Sequence, residues 1–376
     1  MIRYILISCL ICLIYNAKAQ NVVLITLDGV RWQEVFTGID KELMEDKEYS
    51  KKSKLIKEKF WSDNEVGRTE KLTPFISHYI KNNGSLIGDR RKRSKMSVAN
   101  SWYFSYPGYS EIYTGVVDNT IDSNKPFNNP NVTFLEWLNI KSEFKDKMGV
   151  FGSWDLYPYI FNVERSKLHV NAGFTFAHGY EISEEAVTLN KIQKEIPSPW
   201  HNVRHDSFTY RFAKDYLSVV KPRVLVIAFG ETDDFAHEGK YDEYILALNR
   251  TDKMISELWK YIQSLPEYAN NTNLVITTDH GRGSDSANWM HHASKDAVKG
   301  YLKGIQKFPN GIVGSENIWL AALGSNIKRQ GLIQSDKEFK QVQIASTLLY
   351  LLSEQSNRFK EPVLEEVVDL PMKTLK

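Results

Sequence analysis

Two short stretches in the second half of the chain carry residues suited to chemistry: Asp233-Asp234-Phe235-Ala236-His237 and Thr277-Thr278-Asp279-His280-Gly281. Each sets a carboxylate and an imidazole close together, directly after β-type apolar residues at 224–229 and 274–276. Asp and His together suit Zn²⁺ or a similar divalent ion. Two such pairs at the ends of two predicted strands point to a metal site, and to a two-metal site if both take part.

A third carboxylate, Asp28, closes the apolar run 22–27 and is followed by Gly29, which permits a tight bend and close backbone approach to a ligand. In open α/β sheets ligands bind beyond the carboxyl ends of the strands, and Asp28, Asp233 and Asp279 each sit at or just past such an end. A lone strand-end Asp is more often a turn or helix-cap residue; three of them, two with a partnering His, argue for ligation. Trp289-Met290-His291-His292 offers further imidazoles, although a His-His pair in a loop is commonly solvent-exposed. A candidate nucleophile lies in the stretch 100–115, where Pro107 suits the first turn of a helix and Gly115 its end. Ser105 would stand just before that helix, where free N–H groups and the dipole favour an anion such as phosphate. The competing reading makes Ser105 a simple helix cap.

The elements that must position these residues are legible as apolar runs. Buried strands are expected at 22–27, 148–152, 224–229, 274–277 and 318–323, because short, continuous Val/Ile-rich runs fit a sheet covered on both faces. Apolar spacings of three and four predict helices over 133–141, 208–220, 241–265 and 340–352. Strands alternating with helices imply a doubly wound, mostly parallel α/β sheet. Residues 37–72 are dense in Lys and Glu, and 89–95 form a basic run; these read as a solvated helical face and a surface loop, with an electropositive rim as the alternative. Residues 156–206, rich in aromatics, His and Pro, read as a small cap insertion over the open end of the sheet. Neither 37–95 nor 156–206 looks like a separate domain.

The 376-residue chain is 42% hydrophobic and 25% charged, an ordinary globular composition. Residues 1–19 read as a signal peptide: Arg3 as the positive end, residues 5–15 as a short apolar core, and Ala17-Lys18-Ala19 as the cleavage pattern. Leu6-Ile7-Ser8-Cys9 offers a competing lipobox. Export to the periplasm or outside the cell is expected, with 20–376 as one domain. The leader holds Arg3 and Lys18, so the 48 basic residues fall to 46, matching the 46 acidic ones. A near-neutral protein has no general pull toward nucleic acid or anionic lipid, and no other segment approaches membrane-spanning length. Both cysteines, Cys9 and Cys12, lie in the leader. This removes disulfides, thiol nucleophiles and thiolate ligands from the mature chain.

Taken in order from residue 28 to 292, these motifs resemble the alkaline phosphatase superfamily, and within it the type I phosphodiesterase / nucleotide pyrophosphatase branch. The resemblance implies an alkaline-phosphatase-like fold and two divalent ions, with Zn²⁺ suiting the Asp/His mix best and Mn²⁺ or Ca²⁺ as alternatives. It assigns Asp28, Ser105, Asp279 and His280 to one metal, and Asp233, His237 and His292 to the other. The family frame of a nucleophile before an aromatic-Pro step, with Thr-Gly closing the helix, fits Ser105-Tyr106-Pro107 and Thr114-Gly115; Ser101 and Ser110 do not fit it. The frame Trp-x-x-His selects His292 over His291.

There are departures. Gly108 stands where the diesterase branch usually carries Asn. The family's phosphoryl-binding Asn has three candidates, Asn124, Asn128 and Asn129, of which Asn128 is taken with Arg31 and Arg282 as the substrate-binding set. The implied activity is hydrolysis of a small-molecule phosphate ester, mono- or diester, through a covalent phosphoseryl intermediate on Ser105. Helix N–H groups after Ser105, an Asn side chain or Arg would hold the remaining oxygens. The alternatives are a sulfatase-like or phosphonate hydrolase, a phosphoglycerate mutase-like transferase, and a non-catalytic metal-binding protein. Tyr109 in place of the sulfatase frame's Arg, and the lack of room for a mutase insertion, weigh against the first and the second.

Overall fold

The computed structural model describes residues 21–301 and 303–369; the expected leader and its Ala19 cut lie outside them. Eight strands form one sheet: β1 (Asn21–Leu27), β2 (Ser85–Ile87), β3 (Met148–Gly152), β4 (Val170–Ala172), β5 (Val224–Phe229), β6 (Thr272–Thr277), β7 (Leu320–Gly324) and β8 (Gly331–Leu332). Their order is β8-β2-β7-β6-β1-β5-β3-β4. β1 is central, paired in parallel with both β5 and β6, and only β7 runs against its two neighbours.

The sheet is covered on both faces because its strands alternate. Val22, Leu24, Val224, Val226 and Val150 join one core. Val23, Ile25, Leu225, Ile227, Leu274 and Ile276 join the other. The first face receives α1 (Ser105–Thr114), α2 (Phe134–Asn139) and, further along the chain, Gln343–Leu351. The second receives α3 (Asp206–Val220) and, beyond the short α4 (Glu231–His237), the long α5 (Tyr241–Ser264). This is the doubly wound arrangement that the apolar runs imply.

One expected strand is corrected. The run 318–323 is broken at Trp319: Asn317–Ile318 belongs to a separate three-stranded sheet with Met96–Ser97 and Phe339–Lys340, and only Leu320–Gly324 joins the main sheet. Trp319 is buried between them, its indole N–H donating to the Val30 carbonyl at 2.9 Å. The Lys/Glu-rich stretch forms the helices Lys41–Glu45, Ser53–Phe60 and Glu65–Leu72, which bury Leu43, Met44, Ile56, Phe60 and Leu72 and face their charges outward. In the basic run, Arg91 pairs with Asp89 and Glu65, and Arg93 with Asp336. The stretch 156–206 supplies the edge strand β4 and the helix Glu184–Glu195 before its last residues return beside Trp154, just past the end of β3. Among the described residues no helix is long and apolar enough to cross a membrane.

One helix start is tied by a side chain from elsewhere in the chain. Pro74–Ile80 has no cap from its own Thr73; Asp252 of α5 accepts the Phe75 and Ile76 N–H groups at 2.9 and 2.8 Å. Burial pushes the Asp252 carboxyl up to about 7 despite those two donors. The folded state therefore holds this proton more tightly than the unfolded chain, in which an Asp titrates near about 4. The stabilisation is full at low pH and is lost as pH rises through about 7. Asp252→Asn should flatten that part of the stability–pH curve, measured as urea midpoints at about pH 5 and about pH 8. An unchanged slope would rule Asp252 out as its source.

Candidate metal centre

All the strand-end carboxylates arrive at one edge of the sheet. Asp28 directly follows β1, Asp279 and His280 follow β6 after Thr278, and Asp233 sits in the first turn of α4, which begins two residues after β5. His237 ends α4, and Ser105 is the first residue of α1, with Phe104 rather than Ser105 in the cap position. The centre of the group is His280 Nε2, 3.4 Å from Asp28 Oδ1, 3.4 Å from Asp279 Oδ2, 3.4 Å from Ser105 Oγ and 3.8 Å from Asp233 Oδ1. His292 stacks on His280 with ring centres 3.8 Å apart, and its Nε2 lies 3.1 Å from His237 Nε2 and 3.9 Å from Asp233 Oδ1. Asp28, Asp279 and His280 converge as one potential ligand group, and Asp233, His280 and His292 as another. His280 thus stands between the two sets rather than wholly in one. His237 closes the second from its exposed side, with 44% of its side chain accessible. His291 turns away, packing its ring on Phe308.

The surrounding scaffold orients one atom of most ligands and leaves the other. The Tyr109 hydroxyl donates to Asp28 Oδ2 at 2.9 Å, and the Gly29 N–H donates to Asp279 Oδ1 at 3.1 Å. Among the described residues, no hydrogen bond reaches the buried Asp28 Oδ1 or Asp279 Oδ2. His280 Nδ1 donates to the Gly281 carbonyl at 2.9 Å and His292 Nδ1 to the Tyr103 carbonyl at 3.0 Å. A carbonyl can only accept, so in the neutral rings both Nε2 atoms carry lone pairs, and both lone pairs face carboxylates. Lone pairs of four side chains converge here, met only by the Ser105 hydroxyl at His280 Nε2 and the His237 ring at His292 Nε2; such convergence is what a cation needs, and back-side hydrogen bonds of this kind are how metal-binding His residues are held. The donor set fits a divalent ion.

The electrostatics agree. Burial, and then the charge of Asp233, drive the Asp28 carboxyl well above its ordinary range; burial and the charge of Asp28 do the same to Asp279. Asp233 goes the other way: burial would raise it, but Arg282 and His237 hold it well below. Burial, then His280, push His292 well below the usual imidazole range. Arg282 pairs with Asp233 Oδ1, donates to the Asp233 carbonyl at 3.1 Å and to the Met290 carbonyl at 2.7 Å, and so ties α4 to the His292 loop. Gly29 makes room for this: at φ +59, a Cβ there would lie 2.7 Å from both Arg282 Nε and Asp233 Oδ1.

A cleft of about 190 Å³ opens on the group, lined by Asp28, Ser105 and Asp233, by Asn124, and by Trp154 and Asn202 among others. None of the three residues taken from the sequence as substrate contacts lines it: Arg282 is spent on Asp233 and the Met290 carbonyl. Arg31 is buried in an ion pair with Glu34 and donates to the Gly283 carbonyl at 3.2 Å. Asn128 donates to Glu164 at 2.9 Å and borders a different surface hollow. The third candidate, Asn129, is buried against Ser110. Asn124 is the one that reaches the cleft; its Oδ1 accepts the Tyr106 N–H at 2.9 Å, which leaves Nδ2 as its donor end. The same bond corrects the expectation that N–H groups after Ser105 point at substrate: Tyr106 N–H is used, Pro107 has none, and Gly108 N–H bonds to the Phe104 carbonyl. Asp234 lines the cleft without joining either ligand group.

Sequence reasoning missed Tyr109 and Gln341. Tyr109 sits four residues after Ser105, one helical turn on the same face, and that spacing could have revealed it. Gln341, whose amide donates to the Thr278 and Asp279 carbonyls at 3.1 and 2.7 Å, has no such signal. Gly108 explains its own departure: a Cβ there would lie 2.4 Å from the Asp279 carbonyl oxygen, so the Asn of the diesterase frame has no room.

Arg31 gives a test of this placement. Arg31→Leu strands the Glu34 carboxylate among apolar residues and two Tyr hydroxyls, so a loss of about 3–5 kcal/mol is expected in urea unfolding, with metal content per folded protein unchanged. Full stability with a raised KM would return Arg31 to the substrate cleft.

A model of the type I phosphodiesterase / nucleotide pyrophosphatase family matches residues 22–303. No curated protein matches the sequence. Among solved structures, wild-type alkaline phosphatase PafA superimposes with a TM-score of 0.58 at 11% identity, covering 93% of this chain and 99% of that one. The lipoteichoic acid synthase LtaP from Listeria monocytogenes gives 0.54 at 11% identity, over 91% of this chain and 74% of its own. Murine ectonucleotide pyrophosphatase / phosphodiesterase 5 in complex with AMP gives 0.50 at 12% identity, over 89% and 96%. At such identities the likeness is one of fold.

Proposed function

The chain belongs to the type I phosphodiesterase / nucleotide pyrophosphatase family, a family of metal-dependent phosphoester hydrolases within the alkaline phosphatase superfamily, and we propose that it is an exported two-metal enzyme acting through Ser105. The observation that carries this reading is the convergence of unbonded carboxylate oxygens and imidazole lone pairs on one side of the Ser105 hydroxyl. Asp28, Ser105, Asp279 and His280 would hold one ion; Asp233, His237 and His292 would hold the other, with His280 packed between. Zn²⁺ suits these ligands best. Bound there, divalent ions would lower the pKa of the serine hydroxyl and neutralise charge on the attacking and leaving oxygens.

The chain's own residues do the rest. Ser105 Oγ attacks phosphorus from the first turn of α1 while the P–O bond to the leaving group breaks, and water then hydrolyses the phosphoserine. Asn124 Nδ2 donates to a non-bridging phosphoryl oxygen, the role first given to Asn128. Arg282 acts through Asp233, holding its carboxylate charged and aimed, and touches no substrate atom. Tyr109 occupies the place of the sulfatase frame's Arg and spends its hydroxyl on Asp28, which supports phosphate over sulfate esters.

Ser105→Ala should abolish turnover of p-nitrophenyl phosphate and of bis-p-nitrophenyl phosphate while leaving metal content nearly intact. Chelator should abolish both activities in the parent enzyme, and the ratio of the two rates assigns mono- or diester preference. Activity that survives complete removal of metal would sink the proposal. Asn124→Ala should lower kcat/KM by about 10²–10³; Asn128→Ala should leave it unchanged.

A further inference from the structure

We infer that Asp206 and Glu231 form a reciprocal helix cap that positions the Asp233/His237 half of the centre. The inference rests on the two-metal reading of that centre.

α4 has seven residues, too few to hold a helical shape unaided. Yet it carries Asp233 in its first turn and His237 at its end. Its own cap residue, Gly230, contributes no side chain. The first N–H groups are satisfied from another element: Asp206 Oδ1 accepts the Gly230 N–H at 2.8 Å, and the Glu231 N–H is shared between Oδ1 and Oδ2 at 3.4 and 3.3 Å. The N–H groups of Asp233 and Asp234 turn back to the Gly230 carbonyl.

The debt runs both ways. α3 begins at Asp206, and its cap residue His205 makes no side-chain cap bond either. The Asp206 N–H donates to Glu231 Oε1 at 3.2 Å, and His205 Nδ1 lies 3.0 Å from the same oxygen. The first residue of each helix therefore caps the other. Two helix N-termini, each with partial positive charge, meet in the interior, and two buried carboxylates lie between them. Each carboxylate is itself fixed: Ser153 Oγ donates to Asp206 Oδ1 at 2.6 Å, and Arg250 donates to Glu231 Oε2 at 2.7 Å. The far end of α4 is held by the same stretch of chain, since the Trp200 indole N–H donates to Glu238 at 2.8 Å and its ring meets Phe235 edge-on. Residues 200–206 thus grip α4 at both ends. Asp206 and Glu231 are positioning residues; neither lines the cleft.

The test is metal stoichiometry by chelator competition on the full chain, with thermal unfolding alongside, for the wild type, Asp206→Ala, Asp206→Asn and Leu348→Ala. Leu348→Ala lowers stability from the opposite face of the sheet and serves as the control. Asp206→Ala should bind one of the two metals about 10–100-fold more weakly and the other as before, with kcat recovering at excess metal. Asp206→Asn keeps an acceptor oxygen and should restore most of the affinity; Leu348→Ala should keep both sites. Equal weakening of both metals, or wild-type affinity for both in folded Asp206→Ala, overturns the inference while leaving the two-metal reading in place. Fewer than two metals on the wild type overturns that reading and the inference with it. Should Asp206→Ala not fold, Glu231→Ala, which removes the acceptor of the Asp206 N–H, must weaken one metal and spare the other, and unchanged affinity for both there is equally decisive.

Discussion

Three carboxylates share the carboxyl-terminal edge of one sheet, and their mutual repulsion is the constraint around which the rest of this protein is organised. Parallel strands deliver all their ends to the same side, so Asp28, Asp233 and Asp279 are brought together by topology rather than by mutual attraction. Burial removes the water that would screen them. One guanidinium, Arg282, meets Asp233 directly, and two imidazoles turn lone pairs, not protons, toward the group. The arrangement is costly as a fold and coherent as a receptor for cations. The hydroxyl of Tyr109 and the N–H of Gly29 spend themselves on holding oxygens in place, which makes the remaining oxygens available and aimed.

Much of this was legible in the sequence because it follows from period and chemistry. The continuous apolar runs 22–27 and 224–229 implied strands covered on both faces, and the strand-end positions of the three Asp residues brought them to one edge. What was not legible depends on long-range contact. The run 318–323 looks continuous in hydrophobicity, but hydrophobicity does not say that its two halves pair with different sheets on either side of Trp319. Arg31 and Arg282 each follow a ligand motif closely in the sequence; only the fold sends one to Glu34 and the other to Asp233. Asn124 and Asn128 are four residues apart in an irregular loop, where no periodicity says which one turns inward.

The stretch 156–206 touches the sheet, the cleft and α4 together. It adds an edge strand to the sheet, lines the cleft through Asn202 and Val203, and through Trp200 reaches the end of α4, the helix that carries Asp233 and His237. Shape of the cleft and placement of that helix are therefore mechanically linked: a change in the covering segment that suits a new leaving group also pulls on Asp233 and His237. Substrate range and metal retention would then vary together across such variants.

Gly108 sets a limit of another kind. The helix bearing Ser105 rests backbone against backbone on Asp279, with no side chain between them. No rotamer can lengthen that contact and no substitution can thin it, so the spacing of hydroxyl and carboxylate acts as a fixed gauge built from the main chain. That one spacing does not depend on the segments carrying Asn124 and Asn202, although both touch other parts of the centre. The distance from the Ser105 helix to the Asp279 backbone is thus set by the main chain, whatever side chains surround it.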